Sequence, residues 1–89
     1  MEFEWDNHKS SGNLEKHGIS FEQARALWQD INAVEVPLLT EGEERYFYIA
    51  KINNKLWTAV FCYRGNKIRL ISVRRSRLKE EECYEQNKN

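Results

Sequence analysis

From Arg45 onward the hydrophobic pattern of the chain has a period of two, whereas before Ala33 it has the spacing of helices. Arg45 to Ile52 sets Tyr46, Tyr48, Ala50 and Ile52 against Arg45, Phe47, Ile49 and Lys51, which predicts a strand with aromatic residues on both faces. Asn53-Asn54 is a two-residue turn that tolerates positive φ, so it joins this strand to a second over Leu56 to Tyr63 as a hairpin. Arg64-Gly65-Asn66 makes another turn. The stretch that follows, to Arg77, carries Ile68, Leu70, Ile71 and Val73 on both faces of the pleat, and a strand apolar on both sides belongs inside a sheet. Val34-Glu35-Val36 also alternates, and Pro37 confines it to an edge.

The first third reads differently. Phe3-Glu4-Trp5-Asp6 is a short extended segment whose two aromatics point the same way. Asp6 is a good N-cap for a helix over Asn7 to His17, and Gly18 supplies the left-handed residue that ends one. Leu14 is its one large aliphatic and Gly12 weakens it, so its neighbours must hold it in place. Ser20-Phe21-Glu22-Gln23 fits a capping box, and Phe21, Ala24, Leu27 or Trp28, and Ile31 recur at helical spacing, which predicts a second helix over Ser20 to Asp30. A charged helix over Ser76 to about Gln86 closes the chain. The order of strand, two helices, strands and helix predicts a single α+β domain over residues 1–89, with two N-terminal helices on one face of an antiparallel sheet and a short C-terminal helix.

Composition narrows the class. Eighty-nine residues with 40% hydrophobic content bury one modest core and lack the signature of disorder. No run approaches a membrane span, and Met-Glu-Phe-Glu-Trp has neither the basic end nor the apolar middle of a signal peptide, so a cytoplasmic protein with no membrane partner is expected. Cys62 and Cys83 have no metal spacing with His8 or His17 and read as free thiols; no cofactor is expected. The formal net charge is zero, but the charge is not evenly spread. Arg64, Lys67, Arg69, Arg74, Arg75, Arg77 and Lys79 make up half of the fourteen basic residues, with no acid among them, while acids gather at Glu2 to Asp6, Glu41 to Glu44 and Glu80 to Glu82. Positive charge collected on and beside one rigid strand is how a site for a polyanion is built.

Four motifs occur in order almost from end to end: Phe3-Glu4-Trp5-Asp6, Asn13-Leu14-Glu15-Lys16-His17-Gly18-Ile19-Ser20-Phe21-Glu22, Gly42-Glu43-Glu44-Arg45 and Arg69-Leu70-Ile71-Ser72-Val73-Arg74-Arg75. With this spacing and chain length, the sequence resembles the BrnT family of bacterial type II toxins. The resemblance implies a RelE-like fold and a ribonuclease that cuts RNA, blocks translation and arrests growth. It also implies a BrnA-like antitoxin with a ribbon-helix-helix region, which covers the toxin and represses the shared operon, so that operator DNA is met only through the antitoxin.

The residues can be assigned to that chemistry. A metal-independent endoribonuclease must align a ribose 2′-hydroxyl with the adjacent phosphorus, take its proton, stabilise charge on the phosphate and protonate the leaving oxygen. Arg45, Arg69, Arg74 and Arg75 suit the phosphate, because a guanidinium stays charged and presents a planar fork of donors. His17 is the natural acid or base, with Lys16 beside it to hold a phosphate; the competing role for His17 is a helix end without chemistry. Glu43 and Glu44 are alternative bases, or ion-pair partners of Arg45. The expected catalytic set is Lys16, His17, Glu44, Arg45, Arg69 and Arg75, with RNA contacts from Tyr63, Arg64, Lys67, Arg74 and Arg77. Strict period two places Arg69 and Arg75 on one face and Arg74 on the other unless the strand bulges near Arg74. The alternative function is a non-catalytic RNA-binding or protein-interaction module on the same scaffold.

Overall fold

The computed structural model describes residues 1–39 and 41–88. Its elements are β1 (Glu2–Glu4), α1 (Asn7–His17), α2 (Phe21–Ala24) running into a 3₁₀ segment (Arg25–Gln29), β2 (Val34–Leu38), β3 (Arg45–Ile52), β4 (Lys55–Arg64), β5 (Lys67–Arg75) and α3 (Leu78–Asn87). The strands form one sheet in the order β1-β5-β4-β3-β2, antiparallel throughout except for the parallel pairing of β1 with β5. The fold class is therefore α+β, as the element order predicts.

The expected turns and caps form for the reasons given. Asp6 accepts hydrogen bonds from the N–H groups of His8 and Lys9, and α1 ends at His17 with Gly18 at φ 81°. The Ser20 hydroxyl accepts from Gln23 N–H while the Gln23 side chain accepts from Ser20 N–H, completing the capping box. Asn53 and Asn54 take φ values of 50° and 67° in the hairpin turn.

Three expectations are corrected. The second helix does not run regularly to Asp30, because Phe21, Ala24 and Leu27 are the residues fully buried in it; a spacing of three suits the eclipsed side chains of a 3₁₀ segment better than a 3.6-residue period. Ile31 then lies beyond the end of that segment and is 96% exposed. The two N-terminal helices and α3 lie on opposite faces of the sheet. α1, α2 and the 3₁₀ segment cover the face bearing Tyr48, Ala50, Trp57, Ala59, Phe61, Ile68, Leu70 and Val73, whereas α3 packs Tyr84 against Ile49 and Leu56 on the other. Finally, β4 and β5 slip in register at Val60/Phe61, so that Phe61 pairs with Leu70 but Val60 with Ser72. Ile71 is the extra residue of a bulge. Both Leu70 and Val73 consequently face the α1 side, which puts Arg75 on that side and both Arg69 and Arg74 on the other, the reverse of strict alternation.

β5 is interior, with β1 and β4 on its flanks, but β1 reaches only Lys67 to Arg69. The remaining edge is closed by a side chain. Asn13 of α1 donates to the Val73 carbonyl at 2.9 Å and accepts from Val73 N–H at 3.1 Å, as a neighbouring strand would, and it also donates to Ile19 O at 2.8 Å. Ser10, one turn earlier, accepts from Phe21 N–H at 2.9 Å. These two buried polar residues explain how an apolar-poor helix is held.

Candidate active site

The structure sorts the basic residues by whether an acid meets them. Arg69 pairs with Glu4 at 3.0 Å, Arg74 with Glu80 at 2.8 Å, and Arg64 with Glu43 at 3.5 Å. None of these acids lies within the basic stretch; each arrives from another element. Arg75, Lys67, Arg77, Arg45 and Lys16 have no carboxylate within ion-pair distance among the described residues. Of these, Arg45 lies close enough to an acid, Glu43, to feel its charge.

Arg75 is the best positioned of them. Its guanidinium lies over the Trp57 ring, 5.5 Å from the centroid, and its Nε donates to Leu56 O at 3.2 Å. Ser76 N–H donates to the same carbonyl at 3.0 Å and fixes the backbone beyond it. Stacking and one hydrogen bond thus hold the side chain by its Nε edge, leaving its terminal nitrogens for a ligand.

His17 and Lys16 occupy the last turn of α1. His17 stands one helical turn beyond Asn13, which is bonded to Val73, two residues before Arg75. The end of α1 and the end of β5 therefore meet. An open depression of about 440 Å³ joins them, with Gly18, adjoining His17, on one wall and Trp57, beneath Arg75, on the other. Lys55 adds a further cation at the rim. This corner brings the end of α1, with Lys16 and His17, and the Lys55 ammonium toward the unopposed guanidinium of Arg75.

The other expected site residues lie elsewhere. Arg75 stands opposite Trp57 on β4, and Tyr46 opposite Phe61, so four residues of strand, roughly 13 Å, separate the two rows before the spacing across strands is added. Glu44 and Arg45 belong to the far row, where the Glu44 carboxylate accepts from Tyr46 OH at 3.0 Å. The ion pair expected between Arg45 and Glu43 or Glu44 is replaced by the pairing of Glu43 with Arg64. A hydrogen bond from the Cys62 thiol, with Arg64 nearby, holds the Glu43 carboxyl below its usual range, and burial raises the thiol. Tyr63 is 45% exposed and edge-on to Tyr46 and Phe61. Burial and its hydrogen bond to Glu35 push its hydroxyl up to about 12. Lys67 begins β5 at that same far end, and Arg77 precedes α3, its N–H bonded to Glu80.

Sequence reasoning overlooked Asn13. The signal was available, since a carboxamide four residues before His17 in an otherwise polar helix faces the same side, but only the short reach of β1 explains why it is needed. Asn13→Ala leaves three buried backbone bonds unmade and is expected to lower stability by about 2–3 kcal/mol, measured by urea unfolding. Wild-type stability in that variant would mean water replaces the amide.

Among the described residues no group of three or more His, Cys, Asp and Glu side chains is gathered as a metal site, and no helix is long and apolar enough to cross a membrane. The model of a family described as the ribonuclease toxin, BrnT, of type II toxin-antitoxin systems matches residues 5–80. No curated protein matches the chain.

Proposed function

Because the chain belongs to the BrnT family of ribonuclease toxins of type II toxin-antitoxin systems, we propose that it cuts single-stranded RNA without a metal at the corner where α1 meets the end of β5. The observation that carries this assignment is Arg75, stacked on Trp57, tied through its Nε and opposed by no acid. In this mechanism Arg75 takes the non-bridging oxygens of the scissile phosphate and stabilises the charge that develops on them as the phosphorane forms. His17 accepts the proton of the 2′-hydroxyl as that oxygen attacks phosphorus. Lys16 adds positive potential beside the phosphate. The bond to the 5′-oxygen breaks, a 2′,3′-cyclic phosphate forms, and the leaving oxygen takes up a proton from His17 or water.

Arg45, Lys67 and Tyr63 at the far end of the sheet then take no part in bond breaking. Tyr63 shares the face of Arg75, whereas Arg45 and Lys67, which alternate with Tyr46 and Ile68, lie on the other. Arg69 and Arg74, paired with Glu4 and Glu80, are structural in this assignment.

The partner we propose is a BrnA-like antitoxin that covers the Arg75 corner and silences it. Inducing the chain alone in a bacterial host is expected to stop growth and lower bulk translation, and co-expression of the antitoxin to restore both. Normal growth at verified soluble expression would overturn the toxin assignment. Arrest that persists in the His17→Ala, Arg75→Ala double variant would move the toxic activity away from this corner.

A further inference from the structure

Resting on the assignment of the scissile phosphate to Arg75, we propose that the depression beside it is a nucleobase pocket that selects guanine in the nucleotide flanking the cut. Its floor is apolar, formed by Ile19, Ile52 and Trp57, and its rim carries Gln23, Asn53 and Lys55. An apolar floor with a few convergent polar groups is the usual anatomy of a site for a flat heterocycle. In-line attack requires the nucleotides at the cut to splay, and unstacked bases of single-stranded RNA are read on their exposed edges.

The rim groups are free to read such an edge. The Asn53 carboxamide and the Lys55 ammonium make no hydrogen bond or ion pair among the described residues, and Gln23 commits only its oxygen, to Ser20 N–H. None of the three is needed elsewhere through the atoms it offers. Guanine matches them best. Its O6 and N7 accept from an ammonium, and its N1–H and N2 amino group donate to a carboxamide oxygen. Adenine would place its amino group against the ammonium, and a pyrimidine would reach only part of the rim. The pocket shares Trp57 with Arg75, so a base seated there brings its own phosphate to the guanidinium.

The test uses Asn53→Gly, which keeps the φ of 50° comfortable while removing the amide, and Lys55→Gln, which removes the charge. Short single-stranded RNAs carrying each of the four bases on either side of the cut are cleaved under single-turnover conditions. Affinities of 2′-fluoro versions, which cannot be cut, are measured by fluorescence anisotropy. The parent is expected to favour guanine about tenfold, and each variant to reduce that preference to within about twofold. A general loss of folded protein lowers all substrates together and leaves the ratio unchanged. An unchanged guanine preference in both variants overturns the pocket while leaving the nuclease standing, and preference for another base overturns the guanine assignment. Guanine-selective binding that both variants abolish, without cleavage by the parent, supports the pocket and overturns the nuclease. Neither cleavage nor selective binding overturns both.

Discussion

Replacing His17 with alanine is expected to reduce single-turnover RNA cleavage about a hundredfold to ten-thousandfold, the usual worth of a positioned proton-transfer group, with little change in RNA affinity. The half-buried imidazole lies at the end of α1, where its removal disturbs neither Asn13 nor the Gly18 turn. Thermal melting should therefore be close to that of the parent. Arg75→Ala is expected to behave differently, because a guanidinium that stabilises the charged phosphorane also holds the ground-state phosphate. Both cleavage and affinity fall. Arg75→Lys should rescue part of the affinity but less of the rate, since a point charge replaces a planar fork. If His17→Ala cuts at the parental rate, the histidine only ends a helix. The proton acceptor would then be sought at Lys16, because Glu43 and Glu44 stand in the far rows of the sheet, by Arg64 and Tyr46.

Which arginines are free to meet RNA is the part of the site that the sequence hides. Local signals were legible: Asp6 and Gly18 bounded α1, the paired asparagines marked the hairpin, and alternation in β3 named its two faces. Each is decided by neighbours along the chain. Counting cations between Arg64 and Lys79 found a basic stretch, but Glu4 and Glu43 reach it from distant parts of the chain and leave no trace in local composition, while Glu80, just past its end, folds back on Arg74 only once α3 is placed. A bulge was an open alternative, but nothing local placed it at Ile71. A residue added to one strand changes the face of everything after it, so a correct count of basic residues still gave the wrong side for Arg69 relative to Arg75. The same holds for α3, whose buried Tyr84 fits either face until its tether is known. Asp30 supplies part of that tether, accepting from Tyr84 OH at 2.7 Å and Lys51 N–H at 2.9 Å.

The largest stability effect is expected at Glu80. Both terminal nitrogens of Arg74 donate to this carboxylate at 2.8 Å, the Thr58 hydroxyl at 2.9 Å and Arg77 N–H at 2.8 Å. Its side chain is only 12% exposed and that of Arg74 19%. Burial alone would raise the Glu80 carboxyl, but the bonds from Arg74, Arg77 and Thr58 bring it from 4.5 down to about 2. A folded value below the unfolded one means the interaction is fully present above pH 4.5 and is lost as pH falls from there toward 2. The shift corresponds to about 3 kcal/mol, and stranding the Arg74 charge by removing its partner costs a similar ~3–5 kcal/mol. Glu80→Gln should then lower the melting temperature at pH 7 by roughly 15–25 °C for a domain of this size. The gap between parent and variant should hold between pH 5 and 8 and close at lower pH, as the parent's own carboxylate is protonated. Because Arg74 and Glu80 act as one unit, adding Arg74→Ala to Glu80→Gln should cost much less than Arg74→Ala alone. A gap that stays the same down to pH 2 would mean that Glu80 stabilises by filling space between β4 and α3, and that its charge contributes nothing.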